Sequence, residues 1–579
     1  MKRKQINTDF LIIGGGTGGV CAAIAAARKN INVILVEETD WLGGMLSAAG
    51  VSCIDGNYNM QSGLFGEFAE RIFDHYGGRE AVKTGWVSHI NYEPSVANEI
   101  IHQMTEDLPS LTILRKHQLR QLEVADRRIK SVIIADTDGQ ETEISASVVM
   151  DATEYGDAGA AAGCQYNTGL SETGKDDNIQ DITWVAILQE YTKGENHLLE
   201  KPKAYDPTEF LGCCREWSND QYPSDLPAEK MLSYGKLANG KYMLNWPIRG
   251  NDYFTNVLEM TEKERQAEWQ KAREYTLNMI YFIQNELGFK HIGLSKEFPG
   301  EQGLAMIPYN RESRRFQGYE KFDVHHILKP YDYDLYQHGI AVGDYPIDHH
   351  HSSNPKEIKE EFPPIPSFNV PYDVIVSQDI DNLLLGEKNI SVSHVVNGAT
   401  RLQPVVMQLG QAAGIAASLS VKNKKLLKEL NIRDIQQHLI KSHGYLMPVF
   451  DLDRKAECFQ QVHRVCAAGM MKVTGIPYKW ANRGLFYPYK NVTFEAIEFL
   501  LSNYFKISDF DSAEFDKKQE LTLAQIKTIA RRYGIEGLSS IDSVDKKINR
   551  CKFAILLDER VKPFAEELYL KVLSNNKAN

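Results

Sequence analysis

Residues 9–37 read DFLIIGGGTGGVCAAIAAARKNINVILVE, and this stretch decides the fold. Its first apolar run is typical of a strand buried in a parallel sheet, and the small residues after the glycines favour a helix. A second apolar run ends at Glu37. Strand, glycine turn, helix and strand in this order form the context in which a GxGxxG motif binds a dinucleotide. The N-terminus is therefore predicted to be a Rossmann-like α/β domain.

The glycine turn carries the predicted nucleotide site. The motif glycines Gly14, Gly16 and Gly19 permit a tight turn, close approach of a pyrophosphate, and packing of helix on strand. The helix N-terminus offers N–H donors to the phosphates, and Glu37 can accept hydrogen bonds from ribose hydroxyls. A glycine-rich turn without a ligand is the alternative. The predicted binding residues of this segment are Gly14, Gly16, Thr17, Gly18, Gly19, Glu37 and Glu38.

Later segments favour FAD over NAD as the dinucleotide. The sequence WLGGM at 41–45 contains a glycine pair, which suits a backbone passing close to the pyrophosphate and ribityl chain. Residues 111–150 alternate apolar and polar side chains, which predicts a β-meander and a return strand. Residues 381–417 predict a strand ending at Gly386, a polar loop, and a helix starting near Pro404.

Together these segments resemble the large family of FAD-dependent oxidoreductases with a glutathione-reductase-like FAD domain. The resemblance runs over about residues 9–420 and implies non-covalently bound FAD. One departure follows Leu385, where the chain reads Gly-Glu-Lys and relatives tend to carry Ala-Gly-Arg. Besides the N-terminal motif and the 381–417 block, the resemblance rests on DATEYGD (151–157), LNWPIRGNDYF (244–254), PYNRESRRFQG (308–318) and GDYPIDHH (343–350).

The resemblance also implies roles for single residues. The motif glycines would hold the pyrophosphate and Glu37 the adenosine ribose. A helix beginning at Gln403 would point its N-terminus at the flavin pyrimidine edge, where its dipole would stabilise negative charge on reduced flavin. The further FAD-contacting positions are Gly43, Gly44, Met45, Ala152, Gly386, Gln403, Pro404 and Val405.

The domain prediction follows from changes in composition along the chain. The FAD-binding domain is expected in two parts, 1–163 and 370–421, with an inserted α+β substrate or cap domain at 164–369. Residues 430–579 are expected to form an all-helical accessory domain that resembles a degenerate S-layer-homology-like repeat. The inserted domain at 164–369 is rich in Tyr, Trp, Asn and Asp, and it is expected to cover the flavin and form the substrate pocket.

Candidate catalytic residues lie in three charged segments: Arg311, Asp344, His349, His394 and Arg401. In RESRR at 311–315, either Glu312 pairs with an arginine to brace the pocket, or an arginine faces an anionic or hydroxylated ligand. For His394 and Arg401, before the predicted helix, structural capping of the loop competes with contact to flavin or substrate. NGATRL, at 397–402, is similar to the GANRL stretch of fumarate reductases, whose Arg holds a substrate carboxylate.

Three adjacent histidines follow Asp348, at 349–351. His349 or His350 suits a proton relay, because oxidation of a C–H bearing a hydroxyl needs a base near neutral pH. No metal is expected here, since neighbouring residues do not easily aim at one ion and HxxxH spacing is absent. A solvated loop is the further alternative.

Composition narrows the class of protein. The net charge of −12 over 579 residues disfavours a nucleic-acid binder. The eight cysteines show no CxxC pair, so buried reduced thiols, no metal cluster and a cytoplasmic location are expected. We expect neither a membrane nor a nucleic acid as partner, only a small-molecule substrate, and a homo-oligomer is left open.

The sequence therefore predicts an enzyme, an FAD-dependent oxidoreductase. It would move a hydride between flavin N5 and a small polar substrate, hydroxylated or carbohydrate-like. One alternative is a flavin-dependent reductase of a C=C bond or of a halogenated carboxylate, with Arg401 on the carboxylate. Another is a flavin-binding scaffold or sensor without turnover.

Overall fold

The computed structural model describes residues 3–175, 178–192, 194–195, 197–300, 303–351, 353–354, 361–478, 482–510 and 516–571. Its N-terminal strands are β1 (Lys4–Ile13), β2 (Val33–Glu37), β3 (Cys53–Ile54), β4 (Ile90–Asn91), β5 (Leu111–Arg115), β6 (His117–Ala125), β7 (Arg128–Asp136) and β8 (Glu141–Asp151). The helices of this part are α1 (Thr17–Ala27), α2 (Gly63–Tyr76), α3 (Pro94–Glu106) and α4 (Asp157–Ala161).

The region after α4 mixes short strands with helices. Its strands are β9 (Tyr166–Asn167), β10 (Ile182–Thr183), β11 (Ala186–Glu190), β12 (Lys241–Leu244), β13 (Asp252–Tyr253), β14 (Ile292–Leu294), β15 (Arg315–Phe316), β16 (Gly339–Gly343) and β17 (Phe368–Pro371). Its helices are α5 (Ala228–Leu232), α6 (Glu262–Asn285) and α7 (Val324–Leu328). The chain then returns to the first sheet through β18 (Leu383–Leu385), α8 (His394–Thr400) and α9 (Gln403–Asn423).

The C-terminal region is mainly helical, with one short antiparallel pair of strands. Its elements are α10 (Ile432–Lys441), α11 (Phe459–Ala467), β19 (Thr474–Ile476), β20 (Arg483–Leu485), α12 (Phe494–Phe499), α13 (Leu523–Arg532), α14 (Glu536–Ser539) and α15 (Arg550–Val561). The S-layer-like character of this region and the domain boundaries stay predictions.

The main sheet has the order β5-β2-β1-β8-β7-β6, with β18 on the other part of β8. The strands β5, β2, β1, β8 and β18 run parallel, whereas the meander β6-β7-β8 is antiparallel. Two parts of β8 pair with different strands: Thr142–Ile144 pair with β7, and Val149–Asp151 pair with β18. The Rossmann-like α/β prediction is confirmed.

Helix α9 is the core helix of this domain. It is long and apolar enough to cross a membrane, but 89% of its apolar window is buried inside the protein. Its length follows from a run of small and apolar residues, with Pro404 in the first turn, where a missing N–H costs nothing. Its first turn packs on the glycine turn before α1, since a Cβ on Gly18 would lie 3.3 Å from Val406 Cγ1.

Two distant cysteines of the C-terminal region form a disulfide. Cys458, just before α11, is bonded to Cys551 in α15, and their Cα atoms are 5.8 Å apart. The other six cysteines are free and buried, including the adjacent Cys213 and Cys214. The prediction of reduced thiols is therefore wrong for this pair, because folding brings together two residues 93 positions apart in sequence.

We predict that the denatured, unreduced protein exposes six thiols to a thiol reagent and eight after reduction. Replacing Cys458 by Ser should lower the free energy of unfolding, by at most about 4–5 kcal/mol from the loop-closure entropy of a loop this long. The Cys551→Ser variant and the double variant should lose the same amount. Eight thiols before reduction, or additive losses, would contradict the bond.

Candidate functional site

The glycine turn between β1 and α1 has no room for side chains. Gly14 has a φ of +103°, and a Cβ there would lie 2.1 Å from the carbonyl oxygen of Ala152. A Cβ on Gly18 would lie 1.7 Å from the Gly386 oxygen. Gly16 is the N-cap of α1 and, since it has no side chain, it does not cap the helix with a side-chain hydrogen bond. The glycines therefore let the turn pack directly against the backbones of Ala152 and Gly386, which side chains at these positions would prevent.

Glu37 is held at the end of β2 with its carboxylate beside this turn. Its Oε2 accepts a hydrogen bond of 2.8 Å from the backbone N–H of Gly15, and its Oε1 accepts one of 2.8 Å from that of Thr39. Burial raises the pKa of Glu37, while these donors oppose the rise. Glu38, the neighbouring residue, is exposed. Only Glu37 is thus oriented by the turn.

A cavity of about 270 Å³ opens along these residues. The sequence-predicted positions Gly14, Gly16, Glu37, Glu38, Gly44 and Ala152 all line it. Side chains from the meander and from α6, such as Arg120 and Trp269, close its outer side. The structure therefore brings together residues predicted from three separate segments.

The 41–45 segment is clasped to the glycine turn. The backbone N–H of Gly43 donates to the Gly15 oxygen at 2.8 Å, and the hydroxyl of Thr17 donates to the Gly43 oxygen at 2.8 Å. Gly43 has a φ of +108° and Gly44 of +52°, so both use a backbone conformation that favours glycine. Met45 is fully buried below them.

Acidic and basic side chains meet where the Gly386 loop faces α1. Glu387 accepts a 2.6 Å hydrogen bond from the Gly18 N–H through Oε1, so a carboxylate sits at the α1 N-terminus. Lys388 is fully buried, donates to Glu154 at 2.6 Å, and lies 3.6 Å from Glu387. Burial raises the pKa of Glu387 to about 7. In the sequence, the Gly-Glu-Lys at 386–388 stands out only as a departure from the Ala-Gly-Arg of relatives.

Two buried carboxylate oxygens of this cluster accept no hydrogen bond from the described residues. They are Oε1 of Glu154 and Oε2 of Glu387, which is 3.6 Å from Lys388 Nζ. Buried carboxylate oxygens are normally hydrogen-bonded, and the hydroxyls of a ribityl chain or ribose would satisfy them. The bare glycine turn, the oriented Glu37 and these unpartnered acceptors fit FAD.

The N-terminus of α9 meets the segment after the glycine pair. Gln403 donates from its amide to the backbone oxygens of Val51 at 3.2 Å and Cys53 at 3.3 Å. Leu402 is the N-cap and provides no side-chain cap. These bonds place the first turn of α9, with Pro404 and Val405, beside β3, the strand that leads to Asp55.

A chain of alternating charges runs from this helix into the inserted region. Arg401 donates to Asp348 Oδ2 at 2.9 Å and also to the hydroxyl of Tyr309. His350 donates from Nε2 to Asp348 at 3.1 Å and from Nδ1 to Asp252 at 2.8 Å. Asp252 accepts from Arg311 at 3.0 Å. Five charged groups from two parts of the chain thus form one network.

Each member fixes the charge of its neighbour. Burial alone would raise the pKa of Asp348, but His350 and Arg401 hold it well below its usual value. Burial and Arg311 oppose protonation of His350, yet the carboxylates of Asp348 and Asp252 raise its pKa above 6.5. At neutral pH the network therefore consists of two carboxylates, two guanidiniums and an imidazolium ring with a raised pKa.

Asp55 adds a titratable group beside the network. Its Oδ1 accepts a 2.6 Å hydrogen bond from Ser88. Burial, and then the charge of Asp348, raise the pKa of Asp55 to about 6, although Ser88 and Arg401 oppose the rise. Such a pKa suits a group that exchanges protons near neutral pH. Nothing in the sequence singled out Asp55, because its environment comes from β3, α9 and the 348–350 segment.

Asp344 supports Asp55 instead of joining the network. Its Oδ1 accepts a 2.6 Å hydrogen bond from the Asn57 N–H, which orders the turn that holds Asp55. Burial raises the pKa of Asp344 to about 7. The structure therefore places this candidate behind the site, as a residue that positions another.

The RESRR segment braces the interior. Arg311 is fully buried and donates to the Asp181 oxygen and the Thr183 hydroxyl, each at 2.8 Å, besides Asp252. Glu312 pairs with Arg315 and accepts from His394 Nδ1 at 2.9 Å. These are the contacts that the bracing alternative describes, with Glu312 paired to an arginine.

His349 and His394 meet on the far side of the 348–351 segment from the network. Their ring centroids are 4.5 Å apart, and His351 lies 5.4 Å from each. Asp348 and His350 face the network while His349 and His351 face this cluster, as alternation along an extended segment requires. That alternation was visible in the sequence and points to His350, not His349, as the network histidine.

Comparison with known proteins identifies a family. A family model described as "FAD dependent oxidoreductase" matches residues 9–439. No curated protein shows significant similarity to the sequence. Among solved structures, L-proline dehydrogenase from P. horikoshii is 18% identical over 26% of this chain and 24% of that one, with a TM-score of 0.18.

Two further structures match over more of the chain. The p-nitrophenol 4-monooxygenase PnpA from Pseudomonas putida DLL-E4 is 12% identical over 55% of this chain and 70% of that one, with a TM-score of 0.28. The anhydrotetracycline hydroxylase OxyS from Streptomyces rimosus is 10% identical over 80% of this chain and 69% of that one, with a TM-score of 0.33. The chain spans about a quarter of the proline dehydrogenase.

We predict that Glu37→Gln weakens FAD binding at least tenfold, because an amide accepts at only one of the two carboxylate positions and loses the charge toward ribose hydroxyls. Titration of the apoprotein with FAD, followed by flavin fluorescence, measures this change. Glu123→Gln, an exposed glutamate of β6 outside the cavity lining, is the control and should shift the affinity less than threefold. Equal losses in both variants would contradict the assignment of Glu37.

Proposed function

The chain belongs to the family of FAD-dependent oxidoreductases, and we propose that it exchanges a hydride between FAD and a small, polar, hydroxylated substrate. It is an FAD-binding enzyme with a small-molecule substrate. The observation that carries the proposal is the buried charge network at the N-terminus of α9, where the FAD domain meets the inserted region.

FAD would be held by two segments of the chain. The turn at Gly14, Gly16 and Gly19 would let the pyrophosphate approach the N-terminus of α1. The N–H of Gly18 now donates to Glu387, which would release it to a phosphate oxygen. Glu37 would accept from the adenosine ribose, and Glu387 from the ribityl hydroxyls. When bound, FAD supplies two-electron redox chemistry at N5.

The substrate would lie between Asp55 and Arg401. Arg401 and Asp348 form a fixed donor and acceptor pair, and a hydroxylated molecule can hydrogen-bond to both members. Asp55 would take the hydroxyl proton, because its raised pKa leaves it ionised yet basic near neutral pH. His350 would hold Asp348 in place through its two ring nitrogens and so act as a positioning residue.

The contacts weigh against the other candidate bases. His349 lies against His351 and His394, away from Asp348 and Asp252. The C=C reductase alternative needs Arg401 to bind a carboxylate, but this guanidinium already donates to Asp348 and Tyr309. Its Nε is the donor left without a partner among the described residues, which suffices for a hydroxyl group but not for bidentate binding of a carboxylate.

A cytoplasmic location stays our proposal from composition. The Cys458–Cys551 disulfide weighs against it, because disulfides are rare in reducing compartments. Self-association stays open.

The test is anaerobic mixing of the FAD-loaded protein with sugars, polyols, hydroxy acids, amines and activated alkenes. Bleaching of the flavin by a hydroxylated group of compounds is expected. For alkenes, the flavin is first reduced chemically and its reoxidation is followed. Reoxidation by an unsaturated or halogenated carboxylate, without bleaching by any alcohol, would favour the reductase alternative and overturn the proposal.

We predict that the rate of flavin reduction rises with pH through an apparent pKa of about 6 and then levels off, because Asp55 must be ionised to accept the proton. Asp55→Asn should lower this rate by about 10²–10⁴-fold and remove the pH dependence near 6, with the flavin spectrum unchanged. Stopped-flow absorbance measures both effects. The exposed Asp40→Asn serves as control, and an unaltered pH profile in Asp55→Asn would exclude this residue as the base.

A further inference from the structure

Three imidazoles converge away from the charge network. His349 and His351 come from the 348–351 segment, and His394 begins α8. One ring nitrogen of each lies within 4.8 Å of the others. Among the described residues, these are the three His, Cys, Asp or Glu side chains that lie close enough together to hold one metal ion, and the group contains no fourth.

The outward ring nitrogen of each histidine already has a hydrogen-bond acceptor. His349 Nε2 lies 3.2 Å from the Val395 oxygen, and His351 Nδ1 lies 3.2 Å from the Ile179 oxygen. His394 Nδ1 lies 2.9 Å from the carboxylate of Glu312. Each of these contacts requires a proton on that nitrogen, because a carbonyl or carboxylate oxygen only accepts.

With those protons placed, the inward nitrogens carry only lone pairs. His349 Nδ1 and His351 Nε2 are 3.3 Å apart, and His394 Nε2 is buried without a partner. Two neutral imidazole rings carry two N–H protons in total. His349 and His351 make three contacts, with Val395, with Ile179 and with each other, and each contact needs one proton. A metal ion between the lone pairs removes this shortage, and the outward hydrogen bonds are those that orient histidine ligands in metal sites.

We infer that His349, His351 and His394 bind a divalent first-row transition metal ion, with Zn²⁺ the simplest occupant. Imidazole nitrogen suits Zn²⁺ and its neighbours in the series. Two nitrogens bound to a tetrahedral Zn²⁺ at about 2.0–2.1 Å are about 3.3–3.4 Å apart, which matches the His349–His351 distance of 3.3 Å. The nitrogen of His394 lies within 4.8 Å of the other two, so its ring would move toward the ion to complete three protein ligands, which leaves one position for water or another small ligand.

A carboxylate lies directly behind one of the three histidines. Glu312 contacts His394, while the ion pairs of Glu312 and Glu172 with Arg315 and Lys321 balance in charge. His351 and His394 are buried, whereas His349 is partly exposed beside Phe362 and gives an ion a route in.

The fit of His349 depends on a glycine in α8. A Cβ on Gly398 would lie 2.3 Å from the His349 ring, so only glycine lets this ring lie flat against α8. The ion would therefore tie the 348–351 segment to α8. Because Asp348 and His350 lie on the opposite face of that segment, the metal would also fix the network.

The test uses the full-length FAD-loaded protein. Elemental analysis after purification without chelator, and calorimetric titration of the chelator-treated protein with Zn²⁺, should both give one ion per chain. His351→Gln and His394→Gln should weaken Zn²⁺ binding at least tenfold, whereas the exposed His102→Gln should leave it unchanged. Flavin absorbance and circular dichroism confirm that each variant is folded.

A second variant keeps the proposal falsifiable if the buried histidines prove essential for folding. Glu312→Gln retains all three ligands and should weaken Zn²⁺ binding about 10–100-fold, as loss of an outer-shell carboxylate does. Absence of Zn²⁺ binding in the wild-type protein would overturn the inference. Binding of equal strength in the wild type, His351→Gln and Glu312→Gln would also overturn it, since the ion would then lie elsewhere on the chain.

Discussion

The structure depends on a contact between two helix backbones. A Cβ on Gly410 of α9 would lie 2.1 Å from the Gly18 oxygen of α1, and one on Gly414 would lie 2.3 Å from the Ala22 oxygen. Since interiors are close-packed and resist small displacements, a single added methyl group at this crossing would separate the helices. Small residues in both helices are therefore a condition for the whole FAD domain.

This contact joins segments that are almost 400 residues apart. Once α9 lies on α1, the carbonyl of Gly386 meets Gly18, and Glu387 reaches the N-terminus of α1. The N-terminus of α9 then meets Val51 and Cys53 through Gln403. The packing of α9 on α1 thus positions both the glycine turn and the N-terminus of α9, where we propose that the substrate binds.

Charge pairing places the inserted region on this frame. A buried guanidinium without a partner is strongly destabilising, so Arg311 and Arg401 are stable only where Asp252 and Asp348 meet them. His350 bridges the two carboxylates and couples the inserted region to the FAD domain. The alternation of charges explains why five ionisable groups coexist in the interior.

The C-terminal region contributes support close to the site. The N–H of Asn482 donates to the backbone oxygen of Asp344 at 2.8 Å, and Asp344 in turn orders the turn at Asn57 that holds Asp55. The N–H of Ile432, at the start of α10, donates to the Leu568 oxygen at 2.7 Å and closes this region on itself. A helical accessory region expected from composition thus acts through backbone contacts that no motif records.

The sequence by itself determined the local elements and the glycine turn, because periodicity, caps and φ preferences act between near neighbours. It predicted the strand, glycine turn, helix and strand that the structure shows as β1, α1 and β2. It also predicted the cofactor class, and six of the predicted cofactor positions line one cavity. Tertiary structure alone decided which ionisable groups meet: Asp348 with Arg401, His350 with Asp252, and His394 with His349 and His351. Such encounters depend on burial and on packing between segments far apart in sequence, and both arise only when the chain is folded.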